Sequence, residues 1–147
     1  MKTLVVSALL FICATGWAST SSTVPSYSLE SLDCRPESLR SELTPMQQAM
    51  CHHRETLQLD QALNKVYREL RAMLKADDPL AERALVEAQR AWLAFREKEQ
   101  TLCAVTRWSR DGSQFVQVEA ECRQEITEER LNKLRGYLRS YYNAFGG

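Results

Sequence analysis

The sequence predicts an all-α protein: a small helical bundle built on a long antiparallel hairpin, followed by one further long helix and stapled by two disulfides. Three observations predict it. Apolar residues recur at spacings of three and four through most of residues 44–142, the period of an amphipathic helix. Past the first eighteen residues only Gly112 interrupts the chain before Gly136, and Pro25, Pro36, Pro45 and Pro79 all lie outside the long periodic segments. Beyond those eighteen residues the cysteines are Cys34, Cys51, Cys103 and Cys122, an even number.

Residues 1–18 read as an export signal. Lys2 supplies a positive start, and Leu4 to Ala14 contains one polar residue, Ser7. As a helix this stretch would span about 16 Å, roughly half a bilayer core, so it is too short for an anchor. Gly16-Trp17-Ala18 offers small residues where leader peptidases read, which predicts cleavage before Ser19. A lipid anchor on Cys13 is disfavoured by the bulky Ile12 before it. Export to a periplasmic or extracellular space is an oxidising fate, in which four remaining thiols pair. Four cysteines allow three pairings, and spacing does not choose among them.

Residues 19–30 form a lead-in dominated by Ser, Thr and Pro, too poor in apolar side chains to offset the entropy of ordering. The helical domain is assigned to residues 31–147. A first helix begins at Thr44, where Gln47 three residues on completes a capping-box pattern and Pro45 occupies the first turn. A bend or break is expected near His52 to Thr56. Leu59, Leu63, Val66, Leu70 and Met73 then form one seam. Asp77-Asp78-Pro79 stops that helix and starts the next, whose seam is Ala81, Leu85, Ala88, Trp92, Phe95 and Leu102. So short a connection predicts an antiparallel hairpin with facing seams. A loop around Ser109 to Ser113 leads to the last helix, about Gln114 to Tyr142, with Phe115, Val118, Cys122, Ile126, Leu134, Leu138 and Tyr141 inward and less regularity from Thr127 to Leu131.

Charge excludes more than it suggests. The chain carries 19 basic and 19 acidic residues, and loss of Lys2 with the leader leaves a net charge of −1. Neither nucleic acid nor an anionic membrane is drawn to such a surface. Cys51-His52-His53 invites a metal reading, but adjacent helical residues diverge by about 100° and no second ligand pair follows, so a solvated histidine pair and no metal are expected. Without a Cys-x-x-Cys motif, redox chemistry is not indicated. In the last helix Glu119, Glu121, Glu125, Glu128 and Glu129 precede Arg130, Lys133, Arg135 and Arg139, an order that complements the helix dipole. No catalytic pair stands out among so many carboxylates. The chain is expected to be a binding module without a cofactor, not an enzyme.

Trp108 is the most suggestive side chain. It sits among Arg107, Ser109, Arg110 and Asp111, and Trp and Arg are the residue types that most often anchor interfaces. The competing explanation is a tryptophan that caps the bundle.

Ala88-Gln89-Arg90-Ala91-Trp92-Leu93-Ala94-Phe95-Arg96 resembles the Ala-Gln-Arg-x-Trp-x-x-aromatic-Arg core of the lysozyme inhibitor LprI-like family. Asp33-Cys34 with Cys51, the segment Leu59-Asp60-x-x-Leu63-Asn64-x-x-Tyr67, and Cys122 with Thr127, Arg130 and Leu134 resemble its other motifs. The resemblance implies an exported helical domain with Cys34–Cys51 and Cys103–Cys122 pairing. Structural roles are expected for the motif residues Gln89, Arg90, Trp92, Phe95, Arg96, Thr127 and Arg130: Trp92 and Phe95 lie on the apolar seam and read as core, and Arg90 and Arg96 read as ties between the hairpin and acidic neighbours. The resemblance further implies inhibition of lysozyme-like glycosidases, to which engagement of another envelope protein is the alternative; the residue types themselves, not the resemblance, make Arg107, Trp108, Arg110 and Asp111 the expected contact surface. One departure is visible: Cys103 follows Phe95-Arg96 about one helical turn later than the family's third cysteine usually does, so the loop carrying Trp108 is expected to have its own form.

Overall fold

A computed structural model describes residues 33–34, 41–108 and 112–145. The expected leader and lead-in, and Arg110 and Asp111, lie outside the described residues. Among the described residues three helices make up the fold: α1 (Pro45–Asp77), α2 (Pro79–Arg107) and α3 (Ser113–Phe145). Cross-helix pairs fix their directions. His52 meets Gln124 near one end, while Asp77 meets Tyr141 and Glu69 meets Tyr142 near the other. α1 and α3 therefore run parallel, and α2 returns between their ends antiparallel to both.

Local chemistry sets the boundaries. The Thr44 side chain accepts the Gln47 N–H at 3.3 Å, and the Gln47 side chain accepts the Thr44 N–H at 2.9 Å, closing the capping box. Asp78 alone separates α1 from α2; its carboxylate accepts the N–H groups of Leu80 and Ala81, and Pro79 takes the first turn. Gly112, at φ 109°, supplies the left-handed residue from which α3 starts.

Two expectations need correction. α1 does not break at His52 to Thr56; it is one helix of 33 residues. No glycine or proline interrupts it there. Thr56 returns its hydroxyl to the His52 carbonyl at 2.8 Å, and His52 is buried against Gln124 rather than solvated, leaving only His53 exposed.

The α2 seam is also rotated from its expected position. Leu85 is buried and Trp92 half-buried, but Ala88 faces solvent, and Phe95 and Leu102 are 50% and 55% exposed. Gln89, Arg96 and Ala104 turn inward instead. Hydrophobicity misplaces this face because α2 delivers polar side chains to the interior, where cross-helix partners satisfy them. The apolar core lies chiefly between α1 and α3, whose interface is the largest in the bundle, not inside the α1–α2 hairpin. Leu63, Leu70, Leu85, Leu131 and Leu134 form it, with Leu59, Val66, Tyr67, Trp92 and Leu138 around them. Thr127 and Leu131, at 0% and 1% exposure, carry the α3 seam through its irregular stretch.

Candidate functional site

Two places hold the residues singled out by sequence: the end where α2 hands over to α3, and the middle of the bundle around Trp92. At the handover, Cys103 on α2 bonds Cys122 on α3, their Cα atoms 6.1 Å apart; Cys34 bonds Cys51 on α1, with Cα atoms 5.5 Å apart. Cys51 and Cys122 are fully buried, and no cluster among the described residues could hold a metal ion.

α2 ends as the Trp108 N–H meets the Ala104 carbonyl at 2.9 Å, and Trp108 itself has extended geometry. Trp108 is 44% exposed and stands apart from the leucine core. Arg107 grips Glu125 of α3 through two parallel hydrogen bonds of 3.0 and 2.6 Å. That fork holds the guanidinium's pKa above its ordinary value. Arg107 is thus directed onto its own protein, a brace beside Trp108 that adds to the Cys103–Cys122 bond.

Around Trp92 the motif residues meet across all three helices. Arg96, only 8% exposed, donates from Nη1 to Asp60 of α1 at 2.6 Å and to Thr127 of α3 at 3.4 Å. Thr127 donates its own proton to the Arg123 carbonyl at 2.7 Å, so its oxygen is free to accept from Arg96. Arg130 donates from Nε to Gln89 at 3.1 Å, and Arg123 donates to Gln100 at 2.9 Å. The Trp92 ring lies between two guanidinium groups, Arg96 at 4.8 Å and Arg130 at 5.7 Å from its centroid, within cation–π range. Burial lowers the pKa of Arg130, which has no carboxylate partner among the described residues.

The structure separates the motif residues by what they touch. Gln89, Trp92, Arg96, Thr127 and Arg130 tie the helices together; Phe95 and Arg90 face outward. Arg90 lines a groove of about 420 Å³ between α1 and α2, with Asp60, Asn64, Tyr67, Gln89, Trp92 and Arg96 among its walls. Sequence reasoning missed the inward turn of Gln89. Its signal was the spacing from Gln89 to Arg96, seven residues or two turns, with Trp92 between them.

No helix among the described residues is long and apolar enough to cross a membrane. Comparison with curated proteins and with solved structures finds no match. The family model described as lysozyme inhibitor LprI matches residues 39–134, which take in all of α1 and α2 and the first two-thirds of α3, with Asp60, the Gln89 to Arg96 motif and the Thr127 to Arg130 segment inside it. A match over most of the chain, covering the residues that join the three helices, shows that it belongs to the lysozyme inhibitor LprI family.

Proposed function

We propose that this chain is exported, loses residues 1–18, and inhibits a lysozyme-type peptidoglycan hydrolase without chemistry of its own. The family match carries the reading. Two disulfides and the apolar run from Leu4 to Ala14 support export.

Lysozyme-type enzymes cleave between two carboxylates set in a cleft, so an inhibitor needs only a stiff projection that fills the cleft and excludes the glycan. The α2–α3 handover suits that task. Trp108 is a large, exposed side chain at the end of a helix that is tied to α3 twice, by Cys103–Cys122 and by Arg107–Glu125. A projection already fixed in the free protein loses less entropy on binding. In this reading Trp108 enters the cleft. With Arg107 occupied by Glu125, Arg110 supplies the charge-assisted hydrogen bonds to the enzyme's carboxylates, beside Asp111 at the rim. Glu119, Glu121 and Glu128 of α3 steer encounter with a cationic enzyme.

The test is a cell-wall turbidity assay with several lysozymes and the purified mature protein. Trp108→Ala with Arg110→Ala should weaken inhibition at least tenfold, about 1.4 kcal/mol of binding. Undiminished inhibition by the double variant removes this surface from the reading, and no effect of the wild-type protein on any lysozyme removes the inhibitor reading itself.

One observation favours a second reading, a non-inhibitory envelope interaction or immunity protein. Leu80, Phe95 and Leu102 share the outer side of α2 and are each at least half exposed, the kind of apolar surface that marks contact with a partner. Phe95→Asp with Leu102→Asp abolishing a specific pull-down while lysozyme turnover stays untouched by the wild type would favour it.

A further inference from the structure

The α1–α2 groove is left unexplained by either reading, and its charges do not balance. Three guanidinium groups line it, those of Arg71, Arg90 and Arg96, and Arg130 of α3 reaches its Gln89 and Trp92 from outside the lining. Asp60 is the single carboxylate among the lining residues, and Arg96 holds it at 2.6 Å, while Arg71 pairs with Glu82 outside the lining. Among the described residues neither Arg90 nor Arg130 has an ion-pair partner.

Hydrogen-bonding capacity is unbalanced in the same sense. Arg96 Nε and Arg130 Nη2 are buried with no acceptor. Gln89 spends its oxygen on Arg130, which leaves its NH2 group to donate and no acceptor for it among the described residues. The faces of Trp92 offset part of the deficit at Arg96 and Arg130, but N–H to aromatic contacts are weak beside hydrogen bonds to an anion. An unpaired guanidinium at the edge of a groove that already holds more cations than carboxylates favours an anion that joins it.

The groove has room for one. Its volume of about 420 Å³ falls inside the ~300–1,000 Å³ range of small-molecule sites. Tyr67 and Trp92 give it flat walls, and Arg90 stands exposed at its edge. A guanidinium presents a planar fork that matches a carboxylate with two bonds. We propose that the groove between α1 and α2 at Trp92 binds a small organic carboxylate, with Arg90 as the side chain that pairs with it and Tyr67 and Trp92 as the surfaces against which its body packs. The proposal does not depend on lysozyme inhibition, and its test uses no enzyme.

The oxidised mature protein, labelled with nitrogen-15, is titrated with N-acetylmuramic acid, N-acetylglutamate, N-acetylglucosamine and inorganic phosphate while the Trp92 indole signal is followed. Trp108→Phe removes the other tryptophan of the mature chain and secures the assignment. At least one of the two carboxylic acids should shift the Trp92 signal saturably, and N-acetylglucosamine, which lacks a carboxylate, should not. Binding of both acids identifies the carboxylate as sufficient; binding of N-acetylmuramic acid alone identifies a sugar acid; binding of N-acetylglutamate alone identifies an amino-acid or peptide carboxylate. Arg90→Ala should weaken binding at least tenfold with helicity unchanged, because Arg90 is exposed and unpaired, and Arg90→Lys should recover part of the loss. No shift with either acid up to about 10 mM, weaker than the millimolar affinities of the poorest specific ligands, overturns the proposal. Equal response to N-acetylglucosamine or to phosphate overturns it as well, as does undiminished binding by Arg90→Ala.

Discussion

The two ends of the bundle are held by different means. At one end, where α1 and α3 begin and α2 finishes, Cys34–Cys51 and Cys103–Cys122 are joined by the Thr44 capping box and the Arg107–Glu125 fork. At the other, α1 turns into α2 through Asp78 alone, and the last turns of α3 rest on contacts such as Tyr141 with Asp77 and Tyr142 with Glu69, while Leu80 and Phe145 are 75% and 74% exposed. Chain connectivity explains the contrast. A one-residue turn already fixes α1 to α2, so no cross-link is needed there. Residues 108–112 make the longer link from α2 to α3, and without a covalent tie that end would have more freedom to lose on folding. The doubly tied end also carries Trp108, the side chain proposed above to enter an enzyme's cleft.

The largest effect should come from the core that both ends share. Leu134 has no exposed surface and lies in the half of α3 beyond the disulfides. Leu134→Ala should cost about 2–5 kcal/mol in chemical denaturation of the oxidised protein. A cost under about 1 kcal/mol would mean that the covalent end, not the leucine layer, holds the bundle together.

Next in size is the brace. Cys103→Ala with Cys122→Ala opens a loop closed over a separation of 19 residues, which the chain-entropy model values at about 3 kcal/mol. Hydrogen exchange sharpens the comparison: in the wild type the last turns of α3 should exchange first, and in the double variant the C-terminal turns of α2 should join them. An unchanged order of exchange would show that the Arg107–Glu125 fork suffices without the disulfide.

The middle of the bundle should respond less. Arg96→Ala leaves Asp60, whose side chain is 29% exposed, without its partner and strips Trp92 of one cation. Because Asp60 keeps some water, the expected loss is about 2 kcal/mol, below that of a fully buried broken pair. Arg71→Ala, which breaks an ion pair to Glu82 at a solvent-screened arginine, should cost clearly less than Arg96→Ala in the same measurement. Equal losses would erase the distinction between the motif pair and an ordinary surface bridge.

These differences were unevenly legible in the sequence. Caps were plain, because Thr44 with Gln47 and Asp78 with Pro79 act within a few residues and owe nothing to the rest of the fold. The inward seam of α1 was plain for a different reason: Leu63 and Leu70 meet an apolar layer, so hydrophobic spacing alone marks the inner face. The rotation of α2 was not. Hydrophobic periodicity selects Phe95 and Leu102 over Gln89 and Arg96, and only the positions of Asp60, Thr127 and Arg130 on other helices make the polar side the inner one. His52 escaped detection similarly: nothing near it in sequence announces Gln124, 72 residues away. The motif around Trp92 was recognisable as a string, but its division into residues that join helices and an outward Arg90 needed three dimensions.

The smallest effect tests the open end alone. The phenols of Tyr141 and Tyr142 donate to the carboxylates of Asp77 and Glu69, and these hydrogen bonds raise both pKa values above the ordinary tyrosine value. A raised value in the folded state means that the protonated phenol is favoured by folding. The stabilisation is therefore complete below the unfolded value, near pH 10, and is lost as pH climbs through the higher folded values. Deprotonation then sets a phenolate against a carboxylate at each site, and the last turns of α3 should loosen before the disulfide end does. Ultraviolet titration of phenolate absorbance should show a late-titrating component that disappears in Tyr141→Phe with Tyr142→Phe. The same double variant should make the C-terminal turns of α3 exchange faster at neutral pH while leaving those near Cys122 as they were. If alkaline loosening begins instead beside Cys103–Cys122, the two ends do not differ in the way their connectivity dictates.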